Sequence, residues 1–340
     1  MADHNPSGDR VAKEWPLEGH LIVGGSGLFV TTDCLGRAFA SRTASYDLTI
    51  GLPQLDPGST SYGRLLPPEW TIGPSDERER ANERDAIDWG IAYTDTAQAV
   101  VVRCRFYTTL TASDDKEFIC AEETFMDELM DWWTNFTSWL DLLASQDLKK
   151  LGRSTRRGIT GPDLEAWTSD SHGRRAEKYE FSPNERRASK MFRFLELRDL
   201  EACVTAAGNQ DPPPADWLFI RDARSLLNGR ENRRAVIDAA TAAELAMTTL
   251  IDQYLATSNT DEPVRTALVN RYKALEGRAA LLRRLRSRFL SDQLQRDLIE
   301  PRNVATHRGN SLTDAQAQTA VDMAADIVEK AYPLASLLPT

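Results

Sequence analysis

Along the first third of the chain, short apolar runs and alternating positions prevail. Along the last third, apolar residues recur every three or four positions, and a long amphipathic stretch lies between. His20-Leu21-Ile22-Val23 and Leu28-Phe29-Val30-Thr31-Thr32 flank Gly24-Gly25-Ser26-Gly27, a pattern that reads as a hairpin turn. Tyr46–Ile50 alternates, and Ala99–Leu110, with Val100, Val101, Val102, Phe106 and Tyr107, is the strongest strand signal. Leu55–Thr71 is rich in Pro, Gly and Ser and is expected as an exposed loop; Asp76–Asp88 is charged and is expected as a solvated helix or loop. Phe125, Leu129, Trp132, Phe136, Leu140 and Leu143 fall at helical spacing and predict an amphipathic helix over Phe125–Asp147. Trp133 and Trp139 widen its apolar face. Two roles fit such a face: packing on the sheet, or an interface with a partner or a second copy, where aromatics are enriched.

Residues 149–190 are basic, polar and interrupted by glycine, which suits a solvated loop or an RNA-tracking segment. Phe192–Leu197 is expected to close the β region as a last strand, with a short helix to Ala207. Gly208-Asn209-Gln210-Asp211-Pro212-Pro213-Pro214 marks a boundary, because three prolines favour an extended linker. Helical patterns follow over Ala215–Leu227 and Asn232–Leu255. On the second of these, Val236, Ala240, Ala243, Met247, Leu250 and Tyr254 share a face. Glu262–Phe289 reads as one helix or as two meeting near Glu276-Gly277. A fourth helix carries Arg302 and stops at Gly309. A fifth starts from Thr313, with Gln316 as the return half of a capping box. The expected class is α+β: a β-rich N-terminal domain with an amphipathic helix, then an all-α bundle. The expected segments are a flexible tail (1–15), a mixed β-rich domain (16–207), a linker (208–214) and a helical domain (215–340).

No run approaches the ~20 apolar residues that span a bilayer. The first residues have no apolar stretch of the kind that starts a secretion signal, so a cytoplasmic protein without membrane contact is expected. Cys34, Cys104, Cys120 and Cys203 lie far apart and form no Cys-x-x-Cys pair, so they read as reduced thiols. The net charge of −10 argues against a chain that coats nucleic acid. Residues 1–147 hold 11 Lys/Arg against 25 Asp/Glu, whereas residues 211–340 hold 17 of each. The acidity therefore belongs to the N-terminal part, and the helical part has room for a local positive site.

Arg302-Asn303-Val304-Ala305-Thr306-His307, followed by Arg308-Gly309, concentrates chemistry near the end of a chain with four histidines. An arginine grips phosphate through two parallel hydrogen bonds and stays charged. A histidine moves protons near neutral pH. Together they suffice to cut an RNA phosphodiester with no metal and no cofactor. Pro301 places the motif at a helix start or at a kink. In the first case, free N–H groups near Arg302 and Asn303 would favour an anion. Asn303 and His307 share a helix face. Arg302 and His307, five apart, point about 140° apart on a regular helix, so one copy does not aim both at one phosphate.

The motif resembles the Arg-polar-x-x-x-His signature of the HEPN superfamily of helical domains. Ala215–Arg224 and Arg233–Glu244 resemble the opening two helices of HEPN domains related to abortive-infection effectors. The resemblance covers residues 211–340 and implies a homodimer with two motifs facing one cleft. It also implies a metal-independent endoribonuclease in which Arg302 holds and polarises the phosphate, His307 carries the proton and Asn303 orients the phosphate or the imidazole. Attack by the 2′-OH would leave a 2′,3′-cyclic phosphate, which restricts the substrate to RNA, such as tRNA or mRNA. Glu244 is expected to pair with Arg302 and fix its rotamer. A role in phage defence or as a toxin follows from the same resemblance, with an N-terminal domain that meets a trigger or antitoxin. The alternative is a catalytically inactive HEPN dimer that acts as a scaffold, an antitoxin-like partner or a nucleotide- or RNA-binding module.

A plainer reading of the motif is helix capping by Arg302, Asn303 and His307. Arg278, Arg283, Arg284, Arg286 and Arg288 interleave with Leu281, Leu282, Leu285 and Phe289. With Arg308, the last four arginines could meet RNA phosphates, or they could form a solvated face. His4, His20 and His172 have no neighbouring carboxylate or thiol spacing that suggests a metal.

Overall fold

A computed structural model describes residues 12–23, 27–58, 60–69, 88–151, 165–170, 173–178, 193–286, 289–308 and 311–338. The chain divides by contact into two units, residues 1–140 with 194–212 and residues 141–193 with 213–340. The first is β-rich with a long helix and the second is mainly helical, so the class is α+β. Residues 76–87, Arg288 and most of the basic stretch 149–190 lie outside the described residues.

The first unit holds β1 (Lys13–Ile22), β2 (Leu28–Thr31), β3 (Ala38–Arg42), β4 (Asp47–Gly51), β5 (Gln54–Leu55), β6 (Tyr62–Leu66), β7 (Gly90–Tyr93), β8 (Gln98–Val101) and β9 (Arg103–Ala112). They form two antiparallel sheets, ordered β1-β9-β4-β3 and β2-β8-β7-β6-β5. β1 starts at Lys13, inside the expected tail, because Trp15 donates its indole N–H to the Ala112 carbonyl at 3.2 Å and rests on Phe118. β1 and β2 are not a hairpin. Both pair antiparallel with the consecutive stretch Gln98–Ala112: Ile22 faces Arg103 and Leu28 faces Val101. The expected turn residues Gly24, Gly25 and Ser26 lie outside the described residues. The expected loop Leu55–Thr71 contains β6, paired along β7 with Tyr62 against Tyr93. Phe192–Leu197 contributes a single parallel bridge, Leu195 to Val30.

The long helix α1 (Asp115–Ala144) begins ten residues before its apolar periodicity does. The Asp114 carboxylate accepts the Glu117 N–H at 3.0 Å and so fixes the start, with Asp115 and Glu117 in the favourable first turn. Phe125, Leu129, Trp132 and Phe136 are buried, and Phe125 meets Phe106 and Tyr46. α2 (Leu197–Gly208) lies on β3, where Ser41 donates to the Val204 carbonyl; a methyl group on Gly208 would stand 2.7 Å from the Ser41 hydroxyl.

The second unit contains the hairpin β10 (Glu165–Asp170) and β11 (Gly173–Lys178). Its helices are α3 (Ala215–Asn228), α4 (Asn232–Thr257), α5 (Glu262–Arg271), α6 (Ala274–Leu285), α7 (Glu300–Asn303), α8 (Asp314–Ala331) and α9 (Leu334–Leu337). Residues just after Leu140 group with these helices rather than with the sheets. Asn228 donates to Asp147, Lys149 pairs with Asp222, and the Ser225 hydroxyl accepts the Leu151 N–H. α4 is central: α3, α6 and α8 pack on it. Its buried Ala235, Ala239, Ala242, Ala243 and Ala246 let neighbours approach closely on several sides. The chain breaks between α5 and α6 at Tyr272-Lys273, not at Gly277. Gly277 sits in the first turn of α6, and its missing side chain leaves room for the Tyr272 backbone, 2.9 Å from where a Cβ would stand. Thr313 and Gln316 form the capping box at the start of α8.

Candidate functional site

The motif does not open a helix. α7 is the middle of one continuous helical run, Gln295–Arg308, flanked by two π-helical segments, Gln295–Ile299 and Val304–Arg308. The Glu300 N–H bonds the Gln295 carbonyl, five residues back. Pro301 explains part of this. It offers no N–H and its ring crowds the carbonyl four residues earlier, so a regular ladder cannot pass through it. Arg302 and Asn303 therefore have no helix N-terminus behind them. They have instead a wide turn in front, and i→i+5 bonding brings residues five apart towards one side.

Arg302, Asn303 and His307 consequently line one cleft of about 410 Å³. The 140° separation of a regular helix does not apply to a run that ends in a π turn. Arg302 and Asn303 are half-buried and His307 is exposed. Arg302 Nη1 donates to Asn303 Oδ1 at 3.2 Å. Asn303 Nδ2 donates to Glu276 Oε1 at 2.9 Å. Glu276, on α6, lines the same cleft.

Sequence reasoning named Glu244 as the carboxylate beside Arg302. Among the described residues Arg302 bonds Asn303 instead, and Glu244 makes no ion pair with it. Glu276 is the acidic residue of the cleft, and only tertiary packing brings it there. Arg233 is the other residue that sequence reasoning missed as part of the site. Its Nε donates to the Ala305 carbonyl at 2.7 Å, inside the second π segment, and so ties α4 to the motif run. Thr306 returns its hydroxyl to the Arg302 carbonyl at 2.7 Å.

The basic run of α6 is largely engaged in structure. Arg278 donates to the Val269 carbonyl, Arg283 to the Ser291 carbonyl and Arg284 to the Tyr272 hydroxyl. Arg286 lies over the Phe289 ring, 4.4 Å from its centre. These arginines close the turns around α6 and are not grouped at the cleft. The side chain of Arg308 lies outside the described part. Among the described residues, no group of three or more His, Cys, Asp or Glu side chains could hold a metal ion. No described helix is long and apolar enough to cross a membrane.

The first unit has a cleft of its own, of about 600 Å³. Buried Arg105 lies in it, paired with Glu18 at 3.4 Å, bonded to the Pro68 carbonyl and stacked over Trp89. No family model, no curated protein and no solved structure matches this chain.

Proposed function

We propose that the chain is a metal-independent endoribonuclease of the HEPN type, with its site in the cleft of Arg302, Asn303 and His307. One observation carries this reading: the π turn after Asn303 brings a guanidinium, an amide and an imidazole to one concavity. In the proposed reaction Arg302 grips the scissile phosphate and offsets its growing charge. The ribose 2′ oxygen bonds to phosphorus and the bond to the 5′ oxygen breaks. His307 takes the 2′-OH proton, which ends on the departing 5′ oxygen. The products are a 2′,3′-cyclic phosphate and a 5′-OH. Asn303, held by Glu276, fixes the rotamer of Arg302. The protein would act in the cytoplasm as a defence or toxin effector, with the first unit receiving its trigger.

A second reading has one observation in its favour. The chain Arg302–Asn303–Glu276 braces α6 against the motif run with no ligand involved. On that reading the bundle is a catalytically silent scaffold or RNA-binding module. Incubation of the purified chain with total RNA and with tRNA, in excess chelator, separates the two. Cyclic-phosphate ends that vanish in His307→Ala support the nuclease. Intact RNA, or cleavage that survives His307→Ala, supports the scaffold.

A further inference from the structure

The outward side of α1 carries an apolar stripe that the sheets do not use. Ile119 is 52 % exposed and Met130 is 56 % exposed, and Met126 and Trp133 between and beyond them are half-buried. Their spacing of seven, four and three residues keeps all four within one face of the helix. The stripe is about 21 Å long at 1.5 Å per residue, the span of nearly four turns. Single exposed apolar residues are ordinary on a protein surface, whereas an aligned row is not. Two of the four are methionines, whose unbranched, polarisable side chains adapt to varied partners. Trp133 adds a large aromatic of the kind that anchors interfaces.

The surroundings specify the partner. Asp115–Leu140 contains seven acidic residues and one basic residue, Lys116. Glu128 is committed to the first unit, since it accepts hydrogen bonds from Thr43 and Ser45 at 2.7 to 2.9 Å. Glu123, Asp127 and Asp131 are exposed beside the stripe, and Glu122 flanks its other edge. A second copy laid on this face would set acid against acid. An anionic lipid surface would be repelled in the same way. A helix with an apolar row and basic flanks is complementary in both respects.

We propose that the outer face of α1 is a docking site for a basic amphipathic helix of another protein. The apolar row of the partner would lie along Ile119, Met126, Met130 and Trp133, and its lysines or arginines would meet Glu122, Glu123, Asp127 and Asp131. The proposal stands apart from the nuclease reading and does not need it.

Fluorescence anisotropy of a labelled Leu/Lys amphipathic peptide of about 15 residues, long enough for four turns, titrated with the full chain tests it. A scrambled peptide of the same composition is the control. The amphipathic peptide should saturate, and the scrambled one should bind about tenfold more weakly or worse. Met130→Glu should weaken binding about tenfold, as should Glu123→Lys combined with Asp127→Lys. All three positions are exposed, and unchanged circular dichroism and melting would show that the variants fold. Equal binding of the scrambled peptide, or parent-like binding by the variants, would overturn the proposal. So would light scattering that finds a dimer of the free chain that Met130→Glu dissolves, because the stripe would then belong to a second copy.

Discussion

His307 is exposed and its side chain, among the described residues, makes no hydrogen bond or ion pair, so its removal should leave the fold unchanged. On the proposed nuclease reading, His307→Ala is expected to lower RNA cleavage by about 10²- to 10⁴-fold, the usual share of a proton carrier, with an unchanged melting temperature. Arg302→Lys should lose nearly as much, because an ammonium cannot reproduce the planar fork. Gel assays on tRNA beside thermal melts check both, and a variant that melts early while cleaving normally would contradict the assignment. Asp141 is the reverse case, a residue of stability. Burial pushes its carboxyl up to about 7, against hydrogen bonds from the Leu148 and Lys149 N–H groups; Asp147 adds like charge and Arg221 opposes it. A carboxyl held above its unfolded value binds its proton more tightly in the folded chain. The stability it contributes is therefore complete below about pH 4 and is lost as pH rises through about 7. The unfolding free energy from urea melts should fall between about pH 4 and pH 7, by at most about 1.4 kcal/mol per pH unit for this one proton, and Asp141→Asn should flatten the slope. A slope that Asp141→Asn leaves unaltered would show that another group sets it. At this scale the sequence exposed Arg302, Asn303 and His307, because they are contiguous and chemically unusual together. It could not expose Glu276, whose place in the cleft depends on how α6 packs.

The elements divide in the same way. Where a local signal fixes an element, the sequence suffices: Thr313 and Gln316 start α8 as their spacing requires, and α4 buries the face of Val236, Ala240, Ala243, Met247 and Leu250. Where a partner strand fixes it, the sequence misleads. The glycines at 24–27 suggest a hairpin, yet β1 pairs with β9 and β2 with β8, and not with each other. The π segments are harder still, since apolar spacing over 14 residues does not separate i+4 from i+5 bonding, and Pro301 announces only that something must give. Their upkeep falls partly to Arg233, which holds the Ala305 carbonyl. Arg233→Ala should destabilise the chain by about 0.5–1.5 kcal/mol, the net range for one hydrogen bond, since Arg233 is itself exposed. It should also reduce cleavage more than it reduces RNA affinity, because the turn that aligns Arg302 with His307 loses its brace. Denaturant melts with paired kcat and KM measurements test this; an effect on KM alone would mean that Arg233 contacts RNA rather than the helix.

At the scale of the whole molecule, the α+β division follows from a change of periodicity that any reading of the chain meets at Pro212–Pro214. What the pattern hides is that residues 141–151 group with the helices. Their attachment rests on scattered polar bonds such as Asp147 with Asn228, which carry no period. The question left at this scale is how many chains make one site. A regular helix would require two, one supplying Arg302 and the other His307. The π turn places both on one concavity of one chain, so each copy should be complete even if copies associate. Mixing Arg302→Ala with His307→Ala chains, after mild unfolding and refolding to exchange subunits, distinguishes these cases. If each site draws on one chain, every site in the mixture lacks one group and cleavage stays at the level of the separate variants. If each site draws on two chains, half of the dimers are mixed and each holds one intact site, so about a quarter of parent activity returns. We expect no recovery. Recovery near a quarter would show that the cleft of a single chain is not the reacting site, and would return the mechanism to paired motifs.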